Sequence, residues 1–127
     1  MRPTDTVMAR IRLKRIYDPP AREDGHRVLV ERLWPRGLSK DRAALDAWLK
    51  DVAPSDGLRR WYGHVPDRWP EFRQRYRVEL AGRRDLVDRL LAQAAKGPVT
   101  LLFAARDGER NSAVVLKSVL ERRMRTG

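Results

Sequence analysis

Arg32, Arg36 and Lys40 gather three cations within nine residues, around the turn Trp34-Pro35-Arg36-Gly37. A guanidinium presents paired N–H donors in a fixed fork that suits phosphate or carboxylate oxygens, so anion binding is the first chemistry these residues can perform. A second polar stretch, Arg106-Asp107-Gly108-Glu109-Arg110-Asn111-Ser112, adds Arg106, Asn111 and Ser112 to the candidate set. If a helix opens near Asn111, its free amides and the positive end of its dipole reinforce the same anion. Trp34 lies in the cationic turn and is the aromatic expected to line that cleft. For acid–base work the candidates are Glu31, Asp107 and Glu109. Nearby arginines lower carboxylate pKa values, which suits a base better than an acid. Ser112 is a candidate nucleophile without a visible activating partner. The competing reading is that Arg32 and Arg36 pair with Glu31, Asp107 or Glu109 and only lock two loops together.

Several chemistries are excluded or disfavoured. The chain has no cysteine, which removes thiol catalysis, disulfides and thiolate metal sites. His26 and His64 are isolated, with no spaced His or carboxylate cluster, so no metal is expected. No Gly-rich turn follows a strand, and no cofactor is expected. The net charge of +11 would attract anionic partners, nucleic acid included. The basic excess consists of 23 Arg against 5 Lys beside abundant Ala, Leu and Asp, which is also the mark of an Arg-favouring codon bias. Trp34, Trp48, Trp61, Trp69, Phe72 and Tyr76 among Arg59, Arg60, Arg68 and Arg73 could form a stacking platform for single strands. Their helical spacing favours a packed core instead. No apolar run approaches the roughly twenty residues a membrane span requires, and residues 1–10 do not resemble a signal peptide. A cytoplasmic protein without membrane contact is therefore expected.

The elements that must position these residues alternate between two periods. Ile11 and Leu13 alternate with Arg10, Arg12 and Lys14 in a strand with one wet face or an edge position, stopped by Asp18-Pro19-Pro20. Ala21 to His26 reads as a charged surface loop. Val28, Leu29 and Val30 open a strand buried on both faces that delivers the chain to Leu33 and the cationic turn. Ser39 can cap a short helix to Ala44, and Leu45, Ala47 and Leu49 alternate as a strand near the sheet edge. Ser55 can cap a helix holding Leu58, Trp61 and Tyr62, closed by Gly63. Trp69, Phe72, Tyr76 and Leu80 form the stripe of a longer helix, and Leu86, Val87, Leu90, Leu91 and Ala94 that of the next, between Gly82 and Gly97-Pro98. Val99 to Ala105 is a second buried strand, followed by a helix through Ala113, Val114, Leu116, Val119 and Leu120, with Asn111 or Ser112 as its cap. Residues 1–8 read as a loose terminus and 122–127 as a frayed basic tail.

Three stretches together resemble a known family. They are Arg27 to Lys40, Trp48-Leu-Lys-Asp-Val-Ala-Pro-Ser55, and Val99 to Asp107 with Asn111-Ser-Ala-Val-Val-Leu-Lys117. The family is the domain-of-unknown-function 488 family, in its YeaO-like branch, and the resemblance spans roughly Ile11 to Leu120. It implies a compact α/β fold and supplies no established catalytic residue. The chain departs from the family pattern at Glu31, where Asp is usual, and at Arg110-Asn111, where His-Asn is frequent. Broader relatives carry Cys in the loop corresponding to Asp107 to Ser112, and this chain has none.

These readings combine into one expectation: a single α/β domain over residues 1–127, with a mostly parallel sheet between helices in a Rossmann-like three-layer arrangement. Its cleft beyond the carboxyl ends of the strands ending at Leu33 and Ala105 would bind a phosphate- or carboxylate-bearing small molecule. If there is catalysis, it would be of hydrolase or transferase type. The alternatives are a basic nucleic-acid-associated module and an assembly protein without activity.

Overall fold

A computed structural model of the chain describes residues 10–126. The expected loose terminus at residues 1–8 lies outside them. Four strands form a parallel sheet: β1 (Ile11–Arg15), β2 (His26–Leu29), β3 (Ala47–Trp48) and β4 (Val99–Phe103), in the order β1-β4-β2-β3. Five α-helices accompany them: α1 (Lys40–Ala43), α2 (Asp56–Tyr62), α3 (Trp69–Ala81), α4 (Arg84–Lys96) and α5 (Ser112–Thr126).

Strand composition follows position. All five residues of β4 are buried, as a central strand covered on both faces requires. Its one polar residue, Thr100, donates its hydroxyl to the Asp24 carbonyl at 2.7 Å. At the edge, β1 keeps Arg12 exposed beside buried Ile11. The other edge, β3, is only two residues long, the kind of short edge that offers little ladder for a foreign strand.

The two sheet faces are covered unequally. On one, Val28, Val30, Leu101 and Phe103 meet α2 to α5 through Leu58, Tyr62, Phe72, Tyr76, Leu80, Val87, Leu90, Leu116 and Leu120. On the other, Leu29 and Leu102 join only Ile16 and Ala43, flanked by Trp34, Leu38, Leu45 and Ala104. Alternation along β2 and β4 assigns successive residues to opposite faces, and each fully buried aliphatic side chain contributes roughly 1.5–3 kcal/mol.

The ladder ends earlier than the apolar runs suggest. β2 stops at Leu29 rather than Leu33, and β4 at Phe103 rather than Ala105. Val30 N still donates to Leu102 O at 3.1 Å, but the donor just past β4, Ala104 N, is taken by the Glu31 carboxylate at 2.9 Å. A side chain replaces the backbone partner, and Leu33 is left 65% exposed.

Two other expectations change. Ala21 to His26 is not simply a surface loop: Asp24 is buried and its carboxylate meets Lys14 Nζ at 3.0 Å and Arg27 Nη1 at 2.5 Å. Arg27, also buried, spends its remaining donors on the carbonyls of Ala43 and Ala44. The expected tail from residue 122 is helical as far as Thr126, since α5 runs through it and Arg123 pairs with Asp88 of α4 at 2.8 Å.

Candidate functional site

Beyond the carboxyl ends of β2 and β4, on the thickly covered face, lies a cleft of about 260 Å³. The sheet supplies Glu31 and Ala105, α2 and its exit supply Arg59, Arg60, Tyr62 and His64, and the opening of α5 supplies Asn111 and Ser112. Phe72 of α3 and Pro54 complete the wall.

Local sequence fixes α2. Ser55 Oγ accepts from Leu58 N at 3.2 Å as an N-cap, and Glu79 of α3 accepts from both Ser55 N (2.8 Å) and Ser55 Oγ (2.6 Å). The cap residue is itself held by the neighbouring helix, so α2 cannot shift independently of α3. At the other end Gly63 is left-handed with φ 51°, the conformation glycine favours, and His64 follows with φ 57°. A left-handed non-glycine residue carries local backbone strain. It turns the chain back so that the His64 ring lies 5.7 Å from that of Tyr62. Tyr62 stacks on Phe72 at 4.4 Å between centroids and donates its hydroxyl to the Arg110 carbonyl at 3.2 Å. Burial, together with the charge of Asp107, pushes the Tyr62 phenol up.

Glu31 is the cleft's one carboxylate. Its backbone carbonyl accepts from Trp48 Nε1 at 2.6 Å while its side chain accepts from Ala104 N. Burial pushes its carboxyl above the ordinary range, against the opposing pull of the Ala104 N–H and of positive charge on Arg59 and His64. Asn111 is 3% exposed and fully engaged: Nδ2 donates to Asp107 O at 2.8 Å, and Oδ1 accepts from Val114 N at 3.1 Å as the cap of α5. Ser112 stands next to it, half-buried, and its hydroxyl has no hydrogen-bond partner among the described residues.

The structure thus brings Glu31, Asn111 and Ser112 into one lining and leaves the other expected residues outside it. Arg32 borders the cleft through Asp56, with Nε 3.6 Å from that carboxylate, which also lies 3.7 Å from Arg59. Arg36 is exposed and accepts from the Tyr17 hydroxyl through its carbonyl at 2.9 Å, on the loop that covers the thin face. Trp34 packs into that face, donates Nε1 to Leu38 O at 2.6 Å and meets Trp48 edge-on at 5.4 Å. Arg106 is exposed without a partner among the described residues. Asp107 serves its own loop, accepting from the amides of Glu109 and Arg110 and from Arg110 Nε at 2.9 Å, and those bonds hold its carboxyl below the usual range. Arg59, Arg60, Tyr62 and His64 are the lining residues that sequence reasoning missed. The available signal was the capped helix Ser55 to Gly63, whose last turn and exit hold all four. Among the described residues, no three of His, Asp and Glu cluster as metal ligands would.

The family model described as the inactive DUF488-N3 subclade matches residues 10–127. The uncharacterized protein YeaO of Escherichia coli K12 is 46% identical over 107 residues, which is 84% of this chain and 92% of that protein. The uncharacterized protein Rv3073c of Mycobacterium tuberculosis H37Rv is 42% identical over 114 residues, 90% of this chain and 96% of that one. No solved structure gives a significant match.

Proposed function

The chain belongs to the inactive DUF488-N3 subclade of the DUF488 family, and from that premise we propose that it is a receptor, binding a phosphate- or carboxylate-bearing small molecule without turning it over. The observation that carries this reading is the convergence of Arg59, Arg60, His64, the free Ser112 hydroxyl and the amino end of the 15-residue α5 on one cleft. Within the lining, positive charge and N–H donors face a single carboxylate, Glu31, already bonded to Ala104 N, while Asp56 outside it pairs with Arg59. The same inventory speaks against catalysis. Glu31 and Asn111 are committed to the scaffold, and Asp107 to its own loop. Among the described residues, no base contacts the Ser112 hydroxyl.

The experiment is calorimetry and thermal denaturation with inorganic phosphate and pyrophosphate, against chloride at equal ionic strength. Arg59→Ala and Ser112→Ala should each weaken phosphate binding by about tenfold while the fold survives. Equal binding in wild type and Arg59→Ala, or no phosphate effect beyond that of chloride, would reject the cleft. Hydrolysis of phosphate or carboxylate esters that disappears in Glu31→Gln would overturn the non-catalytic part alone.

A further inference from the structure

Away from that cleft, α3, α4 and α5 enclose a groove of about 590 Å³, larger than the first. Half-buried Val119 and exposed Ala81 give it an apolar floor, closed beneath by Leu80 and Val87, each 2% exposed, and Ala81 lets another backbone come close. Its other walls are arginine: Arg77 from α3, Arg84 from α4, and Arg122 and Arg125 from α5. Arg123 is there too, already paired with Asp88. Arg77, Arg84 and Arg122 have no ion-pair partner among the described residues, and no Asp or Glu lines the groove.

We infer that this groove docks an acidic amphipathic helix of a partner protein, apolar side chains on the floor and carboxylates against the arginines. Charge complementarity points to an anionic occupant, because Arg77, Arg84 and Arg122 line one groove without an ion-pair partner among the described residues and like charges on one surface repel. A nucleic acid fits less well: no aromatic ring lines the groove for bases to stack on, and a sugar-phosphate backbone gains nothing from Leu80, Val87 and Val119. A second copy of the chain fits worst, since a two-fold contact would set the same arginines against each other. A helix laid in a groove presents apolar anchors one turn apart with acids beside them, matching both surfaces at once.

The test is fluorescence anisotropy with a labelled amphipathic Glu/Leu peptide and its scrambled-order counterpart, run beside a single-stranded oligothymidylate and phosphatidylglycerol vesicles. The amphipathic peptide should bind about tenfold tighter than the scrambled one, and more weakly as salt rises. Arg84→Glu with Arg122→Glu should cost it at least about tenfold, the milder Arg122→Gln should weaken it in the same direction, and Arg59→Ala should leave it unchanged. Both arginines are exposed, so circular dichroism should show the fold retained. Equal affinity for the two peptides, or indifference to both groove variants, overturns the inference. So does oligothymidylate or vesicle binding that is lost in the groove variants when peptide binding is not.

Discussion

At the scale of single residues, buried Asp24 ties β1 to β2 through Lys14 and Arg27. Burial alone would raise its carboxyl, but the Ala21 amide, Lys14 and Arg27 outweigh that and hold it below the usual range. Removing it leaves Arg27 buried with an uncompensated charge, so Asp24→Ala should cost about 3–5 kcal/mol in urea denaturation. A depressed folded pKa contributes stability above the unfolded carboxylate value, lost as pH falls through the folded one. Glu31 behaves in the opposite sense. Its raised folded pKa gives a contribution present below the unfolded value and lost as pH rises through the folded one. Glu31→Gln should therefore gain on wild type in thermal denaturation as pH rises from mildly acidic to neutral. A difference that stays flat across that range would show that burial does not govern this carboxyl. Neither role was legible beforehand. Asp24 read only as part of a charged surface loop, because its partners Lys14 and Arg27 come from two strands and only the fold joins them. Gly25 itself is constrained: φ is 63°, and a Cβ there would stand 2.3 Å from the Pro98 carbonyl oxygen.

At the scale of elements, periodicity was a good guide wherever a face is buried. Trp69, Phe72, Tyr76 and Leu80 do form the inward stripe of α3, and Ser39 and Ser55 do cap α1 and α2. It failed at strand ends, because the residues that stop β2 act through side chains: Glu31 takes the Ala104 amide, and Trp48 takes the Glu31 carbonyl. It also missed the cleft's cationic wall, since whether α2 faces the rim depends on Glu79, far along the chain, gripping Ser55. Glu79→Ala should loosen that grip, lowering stability by about 1–2 kcal/mol and weakening phosphate binding at the cleft, although Glu79 does not line it. Phosphate affinity as in wild type, measured on the folded variant, would show that α2 is held by its apolar contacts alone. A buried tie of the same kind runs from the Tyr76 hydroxyl to Val52 O at 2.5 Å. Tyr76→Phe strands that carbonyl and should cost about 1–3 kcal/mol by chemical denaturation.

For the whole molecule, the unequal covering of the sheet sets the order of failure. Four helices protect one face, while a four-residue helix and a loop protect the other. Amide hydrogen exchange should open the segment from Trp34 to Ala44 well before α3 or β4. Equal protection in both would mean that the thin face is as secure as the thick one. No helix among the described residues is long and apolar enough to cross a membrane. Parallel architecture was readable because two apolar runs are separated by helical periods, but the order of the strands was not. Nothing in Val99 to Phe103 announces that it lies between β1 and β2.

That central position has a consequence for synthesis. β1 and β2 have no pairing with each other, and each depends on a strand encoded after nearly all the helices have been made. A nascent chain released from the ribosome only as far as Gly97 holds a lone β1 and the β2–β3 pair with no strand to bridge them, and must keep their apolar edges from sticking elsewhere until Val99 to Phe103 emerges.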